Sequence, residues 1–265
     1  MLAPDDRFAA YVIDEAVGHG GSATVYRAHH ASEPNRAVAL KVLDARHRQT
    51  AQFDRIRREF DFAGRLRHPH VVTVYECGTA WLAMELVDGG LVTNLDTMTD
   101  RLTALAQVAD ALDHAHRRGI VHCDVKPSNV LVRQNFSSGG VVLIDFGVAH
   151  SLAQDAHHRP THVEASLPYA APELLRGRAP SAASDEYALA CTTVELLTGR
   201  GPYAPTTTTD LVDAHLNRPV PRFAGRVAGM THAFDTVLAK AMAKDPDHRY
   251  TACAEFIRLV TRALG

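Results

Sequence analysis

The chain has few cysteines and almost no net charge, and each of these features excludes a class of protein. The four cysteines among its 265 residues lie far apart, without a CxxC spacing, so the sequence indicates neither a zinc site nor a disulfide framework. They are Cys77, Cys123, Cys191 and Cys253. Because 28 Lys and Arg residues are balanced by 30 Asp and Glu residues, no overall field attracts nucleic acid or an anionic membrane.

Long apolar runs and an export signal are also missing. The longest weakly polar stretch, residues 187–197, is interrupted by two threonines and Glu195 and is far shorter than the ~20 apolar residues that cross a bilayer. The first seven residues contain a proline and two aspartates, whereas a secretory signal begins with basic residues and an apolar run. We therefore expect a cytoplasmic protein without a membrane segment and without a nucleic-acid partner. The oligomeric state stays open.

What is present is an apolar fraction of 46%, which is enough for one large domain or two lobes. The first third of the chain contains short alternating or β-branched runs separated by glycine and proline, which predict strands. These strands are predicted at residues 11–15, 23–29, 37–43, 71–76 and 81–87. One helix is predicted at residues 51–66, where apolar residues recur at three- and four-residue steps, and Asp88-Gly89-Gly90 is the expected boundary of this part.

Helical periodicity dominates the remainder of the chain. A long amphipathic helix is predicted from about residue 102 to Gly119, and two short strands are expected at residues 130–133 and 141–145. Further helices are predicted at residues 183–197, 207–215, 232–243 and 252–264. The second part of the chain is therefore expected to be mainly helical.

A glycine-rich segment lies between the first two predicted strands, at Gly18, Gly20 and Gly21. Glycines let backbone amides approach phosphate oxygens without a Cβ clash. Taken alone, the segment also fits an ordinary β-turn. It is not a Walker A loop, because no Gly-Lys-Ser/Thr follows and the next element is predicted to be a strand.

Lys41 stands in the apolar strand Val38-Ala39-Leu40-Lys41-Val42, so its ammonium group needs an anionic partner or a route out of the core. Glu59, on the predicted helix, is a candidate partner that would direct Lys41 towards phosphate groups. Glu59 follows two arginines and also fits a solvated helix position.

Two further segments carry polar groups suited to phosphoryl transfer. Asp124, Lys126 and Asn129 supply a proton acceptor, a cation and an amide oxygen within six residues, and Asp145 supplies a carboxylate after an apolar strand. A hydroxyl-proton acceptor, a positive charge and hard oxygen ligands for Mg²⁺ are what this chemistry requires. Each triplet by itself is also common in ordinary loops.

Taken together, these segments form an ordered set. The set is Gly18-x-Gly20-x-x-Ala23-x-Val25, Ala39-Leu40-Lys41, Glu59, His122-x-Asp124-x-Lys126-x-x-Asn129, Asp145-Phe146-Gly147 and Ala171-Pro172-Glu173. This order resembles the motif set of the protein kinases, and the surrounding sequence is similar to bacterial Hanks-type serine/threonine kinases. The resemblance covers nearly the whole chain. It implies one bilobal α+β domain over residues 1–265, with a small antiparallel sheet and one main helix in residues 1–87 and a larger helical lobe in residues 88–265.

The resemblance also implies roles for single residues. ATP and Mg²⁺ or Mn²⁺ are the expected cofactors, and protein serine and threonine hydroxyls are the expected acceptors. Asp124 would be the base, Lys126 would neutralise the moving phosphoryl group, and Lys41 would pair with Glu59 and hold the α- and β-phosphates. Asn129 and Asp145 would bind the metal ions. The residues expected around the nucleotide are Gly18, Gly20, Gly21, Val25, Ala39, Lys41, Met84, Glu85, Val87 and Leu131.

Three other positions extend the resemblance or depart from it. Lys126, two residues after Asp124, resembles the serine/threonine-specific pattern, and Ser166 matches the hydroxyl residue expected to bridge Asp124 and Lys126. Cys123 stands where the family usually has an arginine that receives the activation-loop phosphate. We therefore expect the segment 148–170 to be ordered mainly by its own packing, with phosphates on Ser151 or Thr161 having little effect.

The sequence leaves two other classes of function to consider. One is a pseudokinase scaffold, which the filled positions Lys41, Asp124, Asn129 and Asp145 argue against. The other is a small-molecule kinase of the aminoglycoside phosphotransferase type, which Ala171-Pro172-Glu173 and Arg249 disfavour. The adjacent His157 and His158 are interpreted as solvated loop residues, because neighbouring side chains rarely converge on one ion and no further ligands flank them.

Overall fold

The computed structural model describes residues 1–152 and 166–265, and within these ranges the chain forms ten β-strands and eight α-helices. The strands are β1 (Arg7–Phe8), β2 (Tyr11–His19), β3 (Ala23–His30), β4 (Glu33–Leu43), β5 (Val74–Gly78), β6 (Trp81–Glu85), β7 (Ile120–Val121), β8 (Val130–Val132), β9 (Val141–Leu143) and β10 (His150–Ser151). The helices are α1 (Thr50–Arg65), α2 (Met98–His116), α3 (Phe136–Gly139), α4 (Pro172–Leu175), α5 (Ala182–Thr198), α6 (Thr208–Asn217), α7 (His232–Ala241) and α8 (Cys253–Leu264).

The first six strands form one antiparallel sheet in the order β1-β2-β3-β4-β6-β5. Alternation along β4 divides its side chains between the two faces of this sheet, as the period of two requires. Val38, Leu40 and Val42 pack in a small outer cluster, whereas Ala39 and Leu43 belong to the main core on the inner face. Lys41 stands between Ala39 and Leu43 in this alternation, so it lies on the inner face, where α1 packs.

Helix α1 covers the inner face of the sheet and agrees closely with the helix predicted at residues 51–66. Its buried residues are Ile56, Glu59, Phe62 and Ala63, which recur at three- and four-residue steps. The helix ends at Arg65, and the Leu66 amide donates to the carbonyl of Ala63 at 3.0 Å. The one charged group on the buried face of α1, Glu59, faces the same space as Lys41.

The strand predicted at residues 71–76 begins three residues later than expected, as β5. Val71 and Val72 instead pair with the helical lobe: Val71 forms a parallel bridge with Leu143, and the Val72 amide donates to the Leu143 carbonyl at 3.0 Å. This backbone connection ties the two lobes together, and sequence alternation carries no information about it. Strand β6 likewise ends at Glu85 and does not reach residue 87.

The second lobe is helical, as predicted, and is built around α5. Nearly every residue of α5 is buried, and α2 and α8 pack against each other beside it. Helix α2 begins four residues before the predicted start, whereas α5 to α8 match the four helices predicted after residue 180 within a few residues. Two strand pairs, β8 with β9 and β10 with β7, also belong to this part of the chain. Among the described residues, no helix is both long and apolar enough to cross a bilayer.

One main core runs through both lobes, from Ala39 and Met84 of the sheet to the helices around α5. The architecture is therefore a bilobal α+β fold with a curled antiparallel sheet and a helical lobe, which confirms the predicted fold class. The residues His157, His158 and Thr161 singled out in the sequence lie outside the described residues.

Candidate active site

A polar cleft lies between the sheet and the helical lobe and has a volume of about 460 Å³. It brings together residues from β3, β4, α1, β6 and the loops after β7 and β9. Nine of the predicted site residues line it, namely Gly20, Gly21, Val25, Lys41, Glu59, Met84, Asp124, Lys126 and Asp145. Lys41 and Asp145 are 104 residues apart in the chain, so the convergence of these residues depends on the tertiary fold.

Three charged side chains meet at the back of the cleft. Lys41 Nζ donates to Glu59 Oε2 at 2.7 Å and to Asp145 Oδ1 at 3.4 Å. Burial acts to lower the pKa of the Lys41 ammonium group, but the carboxylates of Asp145 and Glu59 together outweigh it and raise the pKa above its usual value. Lys41 therefore stays charged, as a phosphate-binding cation must.

The two carboxyl groups in this cluster have opposite pKa shifts. Burial raises the pKa of Glu59 to about 7, with Lys41 opposing the shift. The positive charge of Lys41 lowers the pKa of Asp145 below its usual value, against the effect of burial. Asp145 is therefore the fully ionised member of the pair at neutral pH, and its oxygen atoms suit a hard cation.

Asp145 adopts a left-handed backbone conformation, with φ of 66°, which is uncommon outside glycine. Its carboxylate folds back so that Oδ1 accepts the amide of Gly147 at 3.3 Å. A Cβ atom on Gly147 would come within 3.2 Å of that same oxygen. Glycine at residue 147 therefore keeps the Asp145 carboxylate in its place.

Asp124 is the centre of a second polar cluster, at the mouth of the cleft. Its Oδ1 accepts the hydroxyl of Ser166 at 2.7 Å, and its Oδ2 lies 2.6 Å from Lys126 Nζ. Lys126 also donates to the Ser166 Oγ at 2.7 Å. A serine hydroxyl is therefore held between a carboxylate and an ammonium group, as expected for Ser166.

The loop that carries Asp124 is fixed from behind by buried groups. Asn129 Nδ2 donates to the backbone carbonyl of Asp124 at 2.8 Å and to its Oδ2 at 3.1 Å. The carboxylate of Asp185, which is fully buried, accepts the backbone amides of His122 at 2.7 Å and Cys123 at 2.8 Å. Cys123 has a positive φ of 67°, so these hydrogen bonds stabilise a strained backbone.

The remaining predicted residues border the cleft or lie behind its walls. Gly18 pairs with Val25 across β2 and β3, and Ala39 pairs with Met84 across β4 and β6. Asn129 is 5% exposed and lies behind Asp124. Leu131, Glu85 and Val87 are partly exposed, around the connection between the lobes. The predicted residues that do not line the cleft itself are Gly18, Ala39, Glu85, Val87, Asn129 and Leu131.

Sequence reasoning missed Arg133, which connects the two lobes beside this site. Its guanidinium donates to Glu85 Oε1 through Nε at 3.0 Å and through Nη2 at 2.6 Å, and its Nη1 donates to the carbonyls of Pro69 and Gly139. The side chain of Glu85 is therefore engaged in an ion pair, and its backbone amide donates to the carbonyl of Thr73 at 2.8 Å. No sequence signal distinguished Arg133 from other surface arginines.

The residues present fit a phosphate-bearing ligand with a hard cation. The cleft offers a charged lysine and an ionised carboxylate, and no described thiol or imidazole lines it. At the glycine-rich loop, a Cβ at Gly21 would meet no atom within 4 Å, so this part of the loop is open. Oxygen-only donors of this kind suit Mg²⁺ or Mn²⁺ and disfavour softer metals.

Comparisons with known proteins agree with this arrangement. The family model described as "Protein kinase domain" matches residues 11–258. The serine/threonine-protein kinase PknJ of Mycobacterium tuberculosis is 40% identical over 278 residues, which cover 99% of this chain and 47% of that protein. Serine/threonine-protein kinase PknF of the same species is 36% identical over 282 residues, covering 100% of this chain and 58% of that protein. The chain thus spans about half the length of these relatives.

A solved structure shows the same fold. The crystal structure of a mutant form of the Mycobacterium tuberculosis PknI kinase domain superposes with a TM-score of 0.76 at 29% sequence identity. The match covers 100% of each chain. Sequence and structure therefore place the chain beside the same group of proteins.

Proposed function

Because this chain belongs to the protein kinase domain family, we propose that it transfers the γ-phosphoryl group of ATP to serine and threonine hydroxyls of proteins. The observation that carries the proposal is the hydroxyl of Ser166, held 2.7 Å from both Asp124 Oδ1 and Lys126 Nζ. A substrate hydroxyl in a similar position would have a proton acceptor and a cation beside it, which are the two groups that phosphoryl transfer needs there.

In this proposal Asp124 orients the acceptor hydroxyl and takes its proton. Asn129 and Lys126 hold the Asp124 carboxylate in one orientation, so that little reorganisation is needed when the proton moves. Lys126 then lies where the charge of the transferring group can be stabilised. Preorganised charges of this kind supply most of the catalysis in phosphoryl transfer.

The back of the cleft is proposed to hold the nucleotide. Lys41, fixed by Glu59 at 2.7 Å, would bind the α- and β-phosphates beneath the open glycine-rich loop. Asp145 and Asn129 would hold Mg²⁺ or Mn²⁺, which would supply positive charge to neutralise the phosphate oxygens. The adenine ring is proposed to lie by Val25, Ala39, Met84 and Leu131, with the backbone of Glu85 and Val87 at its edge.

The finer features of the proposed activity concern acceptor type and regulation. The Lys126 position supports serine and threonine acceptors. Autophosphorylation is proposed because the sequence after Asp145 contains hydroxyl residues, Ser151 and Thr161 among them. With Cys123 in place of an arginine, that position offers no positive side chain to a phosphate on the segment. We therefore propose that activity depends only weakly on phosphorylation of the segment 148–170.

The experiment is transfer from labelled ATP with Mg²⁺ to a generic basic protein or to an aminoglycoside. The control variant is Asp96→Asn, which changes an exposed aspartate that does not line the cleft. The wild type and this control are expected to label the protein acceptor equally. Asp124→Asn is expected to bind ATP normally and to transfer ~10²–10⁴-fold more slowly, because it loses the proton acceptor.

Three outcomes would contradict the proposal. Transfer to the aminoglycoside alone would make the chain a small-molecule kinase, and ATP binding with no transfer by the wild type would make it a scaffold. Transfer by Asp124→Asn at the wild-type rate would remove Asp124 from the mechanism.

A further inference from the structure

A second cluster of chemically reactive side chains lies in the helical lobe, away from the cleft. Asp113 and His116, near the end of α2, meet Cys253 at the start of α8. Their carboxylate oxygen, ring nitrogen and sulfur atoms all lie within 4.8 Å of one another. Among residues 1–152 and 166–265, this is the one group of three such ligand atoms so close together.

Asp113 already holds the start of α8 in position. Its Oδ1 accepts the backbone amide of Cys253 at 2.9 Å and its Oδ2 accepts that of Ala254 at 3.0 Å. Each carboxylate oxygen has a further lone pair, so these bonds leave acceptor capacity for another partner. They also fix the Cys253 side chain next to the Asp113 carboxylate.

His116 has the carboxylate partner that is typical of a metal-binding imidazole. Its Nε2 lies 2.8 Å from Asp185 Oδ2, and because a carboxylate only accepts hydrogen bonds, Nε2 carries the proton. In the neutral ring the other nitrogen, Nδ1, then has a lone pair to offer. Histidines that bind metals commonly donate their second nitrogen to a carboxylate in this way, which fixes the tautomer and strengthens the ligand.

Three carboxyl groups lie near Cys253. Burial raises the pKa of its thiol, and the nearby carboxylates of Asp113, Asp185 and Glu186 raise it further. Burial raises the pKa of Glu186 to about 8, so this carboxyl group is mostly neutral at pH 7, and the neighbouring Arg249 is paired with Glu173 at 2.7 Å. The Cys253 thiol therefore carries its proton in the absence of a metal, and a bound metal ion deprotonates a coordinating thiol.

A cavity gives access to the cluster. It has a volume of about 330 Å³ and is lined by His116, Glu186, Arg249 and Cys253, among others, whereas Asp113 does not line it. Glu186 is only 2% exposed, and its Oε1 accepts the Tyr250 amide at 3.0 Å. The cavity therefore offers an entry path for an ion and room for a water molecule as a fourth ligand.

We propose that Asp113, His116 and Cys253 bind one divalent ion of the zinc class. A thiolate, an imidazole and a carboxylate together select Zn²⁺ over Mg²⁺ and Ca²⁺, which prefer oxygen ligands only. Tetrahedral zinc places its ligand atoms roughly 3.4–3.6 Å apart, so about an ångström of side-chain movement closes the site. The thiol proton leaves to solvent as the Zn–S bond forms.

A zinc ion here would contradict the sequence-based expectation that the cysteines indicate no zinc site. That expectation rested on local spacing, whereas Asp113 and Cys253 lie 140 residues apart. The ion would link α2 to α8 at the point where Asp113 joins them by hydrogen bonds, and would raise the thermal unfolding midpoint. The site is independent of the proposed transferase chemistry.

The test uses the whole chain, stripped of metal, with Zn²⁺ in equilibrium dialysis and Co²⁺ as the spectroscopic probe. The matched control is Cys77→Ser, which changes a half-buried thiol outside the cluster. Both the wild type and this control are expected to bind one ion per chain and to show a cobalt–thiolate charge-transfer band. Cys253→Ser is expected to lose the band and to bind Zn²⁺ at least ~10–100-fold more weakly, the range found even for lost outer-shell partners.

Several outcomes would overturn the proposal. Zinc binding of equal affinity in Cys253→Ser and Cys77→Ser would assign the ion to surface histidines, and a cobalt spectrum without a thiolate band in the wild type would exclude Cys253 as a ligand. Cobalt bound at Asp145 gives no thiolate band, so the cleft cannot imitate the result. If Cys253→Ser does not fold, the wild-type spectrum and the zinc-dependent rise in its unfolding midpoint decide the question.

Discussion

At the scale of single residues, Glu59 shows how one buried charge depends on one partner. Glu59 is 2% exposed, and among the described residues Lys41 donates the hydrogen bond to its carboxylate. The sequence offered two interpretations of this glutamate, and its burial on the inner face of α1 decides against the solvated one. Its folded-state pKa of about 7 lies above the usual 4.5. It therefore contributes stability that is complete below about pH 4.5 and is lost as the pH rises through about 7.

Lys41→Met is expected to abolish most of the proposed transfer and to destabilise the fold. The variant removes the cation proposed to bind phosphate and leaves the Glu59 carboxylate without its hydrogen-bond donor, at a cost of ~1–3 kcal/mol. Without Lys41, the pKa of Glu59 rises further. The loss in free energy of unfolding relative to the wild type therefore grows above about pH 7. Urea unfolding at about pH 6 and about pH 8 measures this growth.

The control for this variant is Lys240→Met, which removes an exposed lysine on α7 and is expected to leave the transfer rate unchanged. If Lys41→Met turned over ATP at the wild-type rate, the nucleotide would have to bind elsewhere. A loss in free energy of unfolding that does not change with pH would contradict the assigned shift in the pKa of Glu59.

At the scale of elements, the segment 148–170, here called the activation segment, has a short strand near its start that packs onto the helical lobe. Strand β10 pairs with β7, opposite Val121 and Ile120, and Ser151 on it is only 5% exposed. Arg58 of α1 also reaches this region, with Nη1 3.4 Å from the carbonyl of Ala149. Backbone pairing and α1 thus position this part of the segment, and the expectation drawn from Cys123 stays a prediction.

Phosphatase treatment is therefore expected to change the initial transfer rate by less than tenfold. The double variant Ser151→Ala/Thr161→Ala is expected to behave like the treated wild type. The measurement compares rates before and after treatment for both proteins. A drop of tenfold or more, which is ~1.4 kcal/mol in the barrier, would show that another basic residue binds a segment phosphate.

The ion pair between Glu173 of α4 and Arg249 connects the end of the segment to the lobe. The arginine side chain is completely buried and donates to both carboxylate oxygens, at 2.7 and 2.8 Å. Burial opposes ionisation of Glu173, but the hydrogen bonds and charge of Arg249 lower its pKa below the usual 4.5. Its contribution to stability is thus present above about pH 4.5 and is lost as the pH falls through the folded-state pKa.

Arg249→Met is expected to destabilise the fold by ~3–5 kcal/mol at neutral pH, because it leaves a buried carboxylate without its partner. The loss is expected to shrink in acid, where Glu173 is protonated. Urea unfolding measures both effects. The control Arg57→Met breaks an exposed ion pair with Asp61 on α1 and is expected to cost ~0.5 kcal/mol or less. An equal loss in free energy of unfolding for Arg249→Met and Arg57→Met would contradict the stabilising role assigned to the buried Glu173–Arg249 ion pair.

At the scale of the whole molecule, the two lobes meet through the main core, the Leu143 backbone contacts and the Arg133–Glu85 ion pair. The cleft between them holds Lys41 from the sheet and Asp124 and Asp145 from the helical lobe. A nucleotide bound with its metal ion would therefore contact both lobes at once. Binding should stabilise the folded state, because a ligand that binds only that state shifts the unfolding equilibrium.

We expect ATP to raise the thermal unfolding midpoint, and transfer to occur, only in the presence of Mg²⁺ or Mn²⁺. Excess EDTA is expected to abolish both effects, since Asp145 and Asn129 offer hard oxygen ligands. Addition of Mg²⁺ beyond the EDTA, without zinc, is expected to restore transfer, which separates this site from the one at Cys253. Full transfer in EDTA would contradict a metal-dependent mechanism.

The sequence by itself determined the fold class and many of the residues that line the cleft between the lobes. Period-two and helical repeats place β4, α1 and the four late helices within a few residues, because such patterns record which face is buried. The ordered motifs also identified Lys41, Asp124 and Asp145, which the fold brings into the cleft, and their roles in phosphoryl transfer stay a prediction.

The tertiary structure alone decided what depends on contacts between distant parts of the chain. The lobe connection through Arg133, the burial of Ser151 and the meeting of Asp113, His116 and Cys253 are examples. None has a local signature, because a surface arginine, a loop serine and a lone cysteine look alike in any sequence until folding sets their neighbours. Close approach across 140 residues follows from how α2 and α8 pack, and packing depends on the whole core.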